Sequence, residues 1–369
     1  MNHEYFMKFA LEEAQKGEGI VSPNPLVGAV LVKYGNIIGK GFHGEMGELH
    51  AERVVFEKLK NKINLSKSDI PDLDQESKIY EKLDSRIHGN SNSVRQEGLI
   101  LYVTLEPCCH YGKTPPCTEA IIQAGIKKVI IAQIDPNPLV YGKGIEILKQ
   151  AGIEVIVGVL EEEAKYQIRF FNHWITKNEP YFFAKLAISA DGFYAKEGEN
   201  ILISSKSTKR KTKEMRSQFD AILVGKKTLL IDNPKLSCDK RKNLKRIIFC
   251  QKADFSIKNL EAFRDDNVII ACKEKTEECD FLGQMIFYKD LKDFKKQLFN
   301  FGIQSVLVEG GGELMKLFLD ENIVQEVMIV ESKNKKLETG KKFPVINTEF
   351  EFFKKEDIGD DVLKYFLKN

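Results

Sequence analysis

No apolar run in the 369 residues approaches the roughly 20 that cross a bilayer as a helix. An excess of one charge sign is also missing. The chain has 56 Lys and Arg against 54 Asp and Glu, so the formal net charge is +2, which argues against a general nucleic-acid binder. The opening stretch, Met1 to Phe6, has neither the basic start nor the apolar core of a secretory signal. The expectation is a cytoplasmic protein with no membrane or nucleic-acid partner. Tryptophan is scarce, with Trp174 alone. The seven cysteines are odd in number and sit in a large chain without an export signal, which disfavours a disulfide framework. Three of them, Cys108, Cys109 and Cys117, fall within ten residues and point to metal or catalytic chemistry. Cys238, Cys250, Cys272 and Cys279 read as ordinary thiols.

The length suits two domains at roughly 100–200 residues each. In the first half, helical spacing runs over 3–15, 49–60 and 117–124. Residues 26–32 and 37–41 flank Tyr34-Gly35-Asn36 as a hairpin, and 99–105, 127–134 and 153–159 read as buried strands. The polar stretch 61–97 breaks this rhythm and reads as a surface insertion, with one marginal helix near 78–83. An amphipathic segment at 161–171 closes a first domain, 1–172, and 173–180 is the expected linker. In the second domain, 181–369, strands are predicted at 182–189, 221–225, 246–250, 268–272, 285–288, 305–309 and 327–331. Helices are predicted at 206–218, 291–300 and 313–320. Alternating strands and helices imply an α/β class with mainly parallel sheets in both halves.

The residues richest in chemistry are His50-Ala51-Glu52 and the two Pro-Cys pairs, Pro107-Cys108 and Pro116-Cys117. Imidazole and thiolate suit zinc, and a catalytic zinc keeps three protein ligands with a fourth position for water. His50, Cys108 and Cys117 form such a set, each expected where a helix begins. Zinc lowers the pKa of a bound water from 15.7 towards about 7. Glu52, two residues past His50, is expected to shuttle the proton rather than bind the metal. This is the logic of zinc deaminases acting on amino-heterocycles, although eight residues separate the two cysteines here instead of two. A lone His-x-Glu carries little, and a structural zinc would need a fourth ligand such as Cys109 or His110. A zinc interaction module without turnover has no use for Glu52.

Beyond these residues the chain resembles a known family. Pro23-Asn24-Pro25, Val27-Gly28, Gly41-Phe42-His43, His50-Ala51-Glu52, Thr104-Leu105-Glu106-Pro107-Cys108, His110-x-Gly112-Lys113-Thr114-Pro115-Pro116-Cys117 and Asp135-Pro136-Asn137-Pro138 are similar, in order, to the bifunctional riboflavin-biosynthesis deaminase/reductases. In the second half the resemblance continues through Lys185-x-Ala187-x-Ser189-x-Asp191-Gly192, Arg216-Ser217-x-x-Asp220-Ala221-Ile222, Gly225-x-x-Thr228, Asp232-Asn233-Pro234-x-Leu236 and Val308-Glu309-Gly310-Gly311. It implies an N-terminal cytidine-deaminase-like three-layer α/β/α domain and a C-terminal dihydrofolate-reductase-like α/β domain. The implied chemistry is deamination of a diamino-pyrimidinone carrying phosphoribosylamine, then reduction of ribosyl to ribityl with NADPH.

By the same resemblance, Asn24 and His43 contact the deaminase substrate, and His110 and Lys113, cations on the loop between Cys108 and Cys117, are expected to hold its phosphate through charge-assisted hydrogen bonds. Asn200, Arg216, Leu236 and Glu309 contact the reductase substrate, and Ala187, Leu202, Thr228, Asp232, Gly311 and Gly312 contact NADPH. The chain departs from the family where Leu202 replaces a tryptophan that packs on the cofactor, and where Asp239, followed by Lys240 and Arg241, replaces an arginine. The alternative is a zinc deaminase with a degenerate second half. Two-domain metabolic enzymes often form symmetric dimers or tetramers, so a homo-oligomer is expected.

Overall fold

Asn2 starts the fold, its side chain accepting from Tyr5 N to cap helix α1 (His3–Gln15). The computed structural model describes residues 2–62, 98–112, 114–196, 199, 201–238, 241, 243–252, 257, 259–274, 283–343, 346 and 348–369. The chain divides into two units, Met1–Thr176 and Lys177–Asn369.

In the first unit α1 is followed by β1 (Gly28–Lys33), β2 (Asn36–Phe42), α2 (Ala51–Lys62), β3 (Ile100–Leu105), α3 (Cys117–Gln123), β4 (Lys128–Gln133), α4 (Lys143–Gln150), β5 (Glu154–Val157), α5 (Glu161–Gln167) and α6 (Arg169–Lys177). Tyr34 and Gly35, both at positive φ, make the tight β1–β2 turn. The sheet order is β2-β1-β3-β4-β5. β1 is antiparallel to both its neighbours, and β3, β4 and β5 are parallel. Strand residues alternate between two cores. Leu31, Leu101, Val103, Val129 and Ile131 pack with Val55, Ile121 and Leu148 of α2, α3 and α4. Val30, Val32, Tyr102 and Ile130 pack with Phe6, Met7 and Ala10 of α1 and Ala164 of α5. Helices on both faces make three layers, and strands buried on both sides read as continuous apolar runs.

The second unit contains β6 (Tyr181–Ile188), β7 (Phe193–Ala195), α7 (Lys206–Met215), β8 (Ala221–Gly225), α8 (Lys226–Asp232), β9 (Lys245–Lys252), β10 (Val268–Glu274), β11 (Gln284–Phe287), α9 (Leu291–Asn300), β12 (Ser305–Val308), α10 (Gly312–Asp320), β13 (Glu326–Ser332), β14 (Lys341–Lys342), β15 (Phe350–Ile358) and β16 (Asp361–Lys368). The main sheet has the order β11-β10-β9-β8-β12-β6-β13-β16-β15, and β7 pairs separately with β14. β11 through β13 in that order are mutually parallel, and β16 and β15 close the edge antiparallel. Phe182, Ala184, Leu223, Ile247 and Val306 bury one sheet face against Phe294 and Leu298 of α9 and Met315 and Phe318 of α10.

Three expectations change. The expected linker is helical as far as Lys177, because α6 continues through His173 and Trp174, and only 178–180 connect to β6. The 206–218 helix ends at Met215 and tightens to a 3₁₀ turn over Arg216–Gln218. The β15–β16 hairpin was not anticipated. The expected insertion lies outside the described residues from 63 to 97, including the helix expected near 78–83. Among the described residues no helix is long and apolar enough to cross a membrane.

Candidate active sites

At the carboxyl end of β3 the chain leaves the sheet through Glu106 and Pro107 and brings Cys108 towards the amino ends of α2 and α3. His50 directly precedes α2, and Cys117 is the first residue of α3. Cys108, expected at a helix start, instead lies in a loop. The Thr114-Pro115-Pro116 stretch postpones the helix to Cys117, whose backbone N–H then donates to Cys108 Sγ at 3.3 Å. Ligand atoms of His50, Cys108 and Cys117 all lie within 4.8 Å of one another. His50 Nδ1 is 3.5 Å from Cys108 Sγ and 3.3 Å from Cys117 Sγ. A tetrahedral zinc with bonds of about 2.0–2.3 Å to nitrogen and sulfur would hold such atoms about 3.5 Å apart. The donor set therefore fits zinc in both chemistry and spacing.

The protons of this cluster are shared unequally. Cys108 is drawn down to about 4, chiefly by the hydrogen bond from Cys117, and His50 adds to the fall. Cys117 is pushed up by keeping the proton of that bond and by burial. A cation replaces such a proton readily. Glu52, on the first turn of α2, is 3% exposed. Burial raises its pKa, with His50 pulling the other way. A carboxyl held this way near a nucleophilic water is suited to take and return a proton.

Asn24 and His43 meet beside this cluster. Asn24 Nδ2 lies 2.9 Å from His43 Nε2, and His43 Nδ1 lies 3.2 Å from Leu49 O. One tautomer satisfies both bonds: Nδ1–H donates to the carbonyl and Nε2 accepts from Asn24. Burial lowers the His43 pKa, consistent with that neutral ring. The rings of His43 and His50 are 5.1 Å apart, edge to face. His110 is exposed on the loop between Cys108 and Cys117. Lys113, expected there as a phosphate ligand, lies outside the described residues.

Sequence reasoning gave no role to Glu106, which is 3% exposed. Its carboxylate accepts backbone N–H groups of Asp135 at 3.2 Å, Gly142 and Gly144 at 3.0 Å, and Ile145 at 3.3 Å. It thereby ties the strand end before Cys108 to the 135–142 loop and to the start of α4. The signal was present as an acid beside Pro-Cys, but its partners are 29 to 39 residues away.

In the second unit a cavity of about 1600 Å³ opens at the carboxyl ends of β6, β8, β9, β10 and β12. Open α/β sheets bind ligands in this place. Ala187, Leu202, Arg216, Thr228, Asp232, Leu236, Glu309, Gly311 and Gly312 all line it. Asn200 lies outside the described residues, as do Asp239 and Lys240. Arg216 donates from Nε and Nη2 to the two oxygens of Glu309 at 2.9 and 2.8 Å, and from Nη1 to Ser237 O. Burial works to raise the Glu309 pKa, but Arg216 and Lys185 outweigh it and hold the carboxyl below its usual value. Gly311 N donates to Thr228 Oγ1 at 3.2 Å, joining the glycine turn before α10 to α8. Leu236 is held at positive φ, a conformation that costs a branched residue energy, and it is 2% exposed. Leu202, 45% exposed, offers the cavity an aliphatic surface.

Lys185, on β6, also lines the cavity with Glu309 and Arg216, and no role had been assigned to it. Burial lowers its pKa, with Glu309 opposing. Asp191, by contrast, is absent from the lining. Its carboxylate accepts from Ser189 Oγ and from Leu337 N and Glu338 N, which holds its pKa down at about 2.

Comparison with known proteins covers both units. Residues 1–133 match the cytidine and deoxycytidylate deaminase zinc-binding region, and residues 180–331 match the RibD C-terminal domain. The chain is 36% identical over 335 residues to the riboflavin biosynthesis protein RibD of Aquifex aeolicus, covering 88% of this chain and 85% of that protein. It is 34% identical over 350 residues to the same protein of Actinobacillus pleuropneumoniae, covering 87% and 81%. A diaminohydroxyphosphoribosylaminopyrimidine deaminase/5-amino-6-(5-phosphoribosylamino)uracil reductase from Thermotoga maritima superposes with a TM-score of 0.84 at 35% identity, covering 100% of this chain and 99% of that one. With two halves matched in order and relatives aligned over most of their length, the chain belongs to the riboflavin biosynthesis protein RibD family.

Proposed function

We propose that the chain carries out two consecutive reactions on one phosphoribosylated pyrimidine. The first unit hydrolyses the 2-amino group of 2,5-diamino-6-(5-phosphoribosylamino)pyrimidin-4(3H)-one. The second reduces the ribosyl group of the product with NADPH, giving 5-amino-6-(5-phosphoribitylamino)uracil. The observation that carries this reading is the convergence of His50, Cys108 and Cys117 beside a buried Glu52.

His50, Cys108 and Cys117 would hold a zinc ion, which would supply the Lewis acidity that makes a water molecule nucleophilic near neutral pH. Glu52 takes the proton from that water and returns it to the departing amino nitrogen, so that ammonia leaves and a carbonyl remains. His43 fixes the Asn24 carboxamide, leaving Asn24 Oδ1 to accept from the pyrimidine ring. His110 and Lys113 receive the phosphate.

NADPH supplies a hydride in the second unit. Opening the ribosyl ring requires a proton at the ring oxygen, and Lys185 is the acid in reach of the cavity. Glu309, held by Arg216, opposes the burial that lowers the Lys185 pKa and so favours its charged form. The intact set of Lys185, Arg216 and Glu309 speaks against a degenerate second half.

The test is a paired assay on the full chain. Glu52→Gln abolishes ammonia release from the diamino-pyrimidinone phosphate, a fall of roughly 10²–10⁴-fold or more. Zinc measured by metal analysis stays bound. Ammonia release at the wild-type rate, or release by metal-free protein, would reject the deaminase reading.

A further inference from the structure

We propose that Lys209 anchors the sugar phosphate in the reductase cavity. The proposal rests on the reductase reading above and names the group that receives the 5-phosphate. A phosphate dianion entering this cavity needs a cation that is not already committed. Most of the cations there are. Arg216 gives three donors to Glu309 and Ser237. Lys196 is paired with Glu199 at 3.0 Å, and Lys227 and Lys341 share Glu313 at 3.5 and 3.0 Å. Lys226 is likewise engaged. Arg241, the described base next after Leu236, is buried against Asp220 at 2.5 Å and does not line the cavity.

Three lining cations, Lys185, Lys209 and Lys273, hold no ion pair among the described residues, and Lys185 is already placed at the reacting end of the sugar. Their positions differ. Lys209 lies seven residues before Arg216, two turns along α7 on the same face, which is about 10 Å of helix rise. It lines the same cavity as Lys185, Arg216, Asp232 and Glu309, and its charge acts on Lys185 and on Asp232. Arg216 is bonded to Glu309 at the end of β12, the strand next to β6, so a pentose phosphate with C1′ at Lys185 would carry its phosphate past Arg216 towards Lys209 at the exposed end of α7. Lys273 is the last residue but one of β10, four strands from β6 in the order β10-β9-β8-β12-β6, about 19 Å at the usual strand spacing. A single sugar phosphate does not reach from Lys185 to Lys273.

The experiment uses full-length Lys209→Ala and Lys209→Arg and follows NADPH oxidation with the deaminated phosphoribosylamino-uracil and with its dephosphorylated form. Loss of one charge-assisted hydrogen bond raises KM for the phosphorylated substrate about tenfold or more in Lys209→Ala. The kcat and the KM for NADPH hold, and Lys209→Arg recovers most of the loss. On the dephosphorylated substrate Lys209→Ala and wild type behave alike. Ribose 5-phosphate inhibits the wild type competitively and inhibits Lys209→Ala more weakly. Ammonia release is unchanged, because it belongs to the other unit. An unchanged KM, an equal rise with both substrates, or a rise in the NADPH KM instead would overturn the assignment. A wild-type enzyme that oxidises no NADPH with either substrate would overturn the reductase reading itself, and the two failures are told apart by that control.

Discussion

A carboxyl group as buried as Glu52 would be a poor choice for stability alone, since burial favours its neutral form. It becomes useful where a proton must be taken up and given back. Asp191 shows the opposite use of the same chemistry. Three hydrogen bonds to the charged form hold its pKa at about 2, below the unfolded 3.8. A carboxylate with a depressed folded pKa stabilises the fold above its unfolded pKa, and that stabilisation is lost as pH falls towards the folded value. Asp191→Asn should therefore melt below wild type from neutral pH down to about pH 4, with the gap narrowing below that. Thermal melts across pH 3–7 check this, and a gap that widens with acid would contradict it.

Glu106 acts at the scale of elements. Its four backbone partners come from the 135–142 loop and the start of α4, so one side chain sets how the Cys108 loop sits against them. Glu106→Ala leaves those N–H groups buried and unsatisfied, at a cost on the order of 3–5 kcal/mol in urea unfolding. Zinc content should fall as Cys108 loses its position. Helix α1 and strand β1 impose a different constraint. A Cβ on Gly28 would stand 2.0 Å from Ala10 O and 2.5 Å from Ala14 N, both backbone. Gly28→Ala therefore forces α1 off the sheet and should give little folded protein, read by expression and circular dichroism. At this scale most strands were legible as apolar runs, because two-sided burial selects Val, Ile and Leu. The β15–β16 hairpin was not. Phe350 to Ile358 is mostly exposed edge strand, and its composition, EFFKKED, carries no period that separates strand from loop.

For the whole molecule, two sites in two units, each with its own core, make two activities that substitutions can separate. Lys185→Ala should cut NADPH oxidation about 10²-fold or more while ammonia release continues, and Glu52→Gln should do the reverse when the deaminated substrate is supplied. Loss of both activities in either variant would mean that the sites are not independent.

That His50, Cys108 and Cys117 could hold a metal ion beside Glu52 was legible in the sequence alone, because zinc chemistry admits few residue types and the two Pro-Cys pairs and His-x-Glu stand close to regular elements. The α/β class was set the same way, by alternating periods of apolar residues. Only the tertiary structure decided that Cys108 sits in a loop rather than at a helix start, that Glu106 binds backbone donors 29 to 39 residues away, and that Lys185 lines one cavity with Glu309 and Arg216. Those relations depend on which segments the folded sheets bring side by side, and local residue spacing carries no record of contacts between positions so distant in the chain.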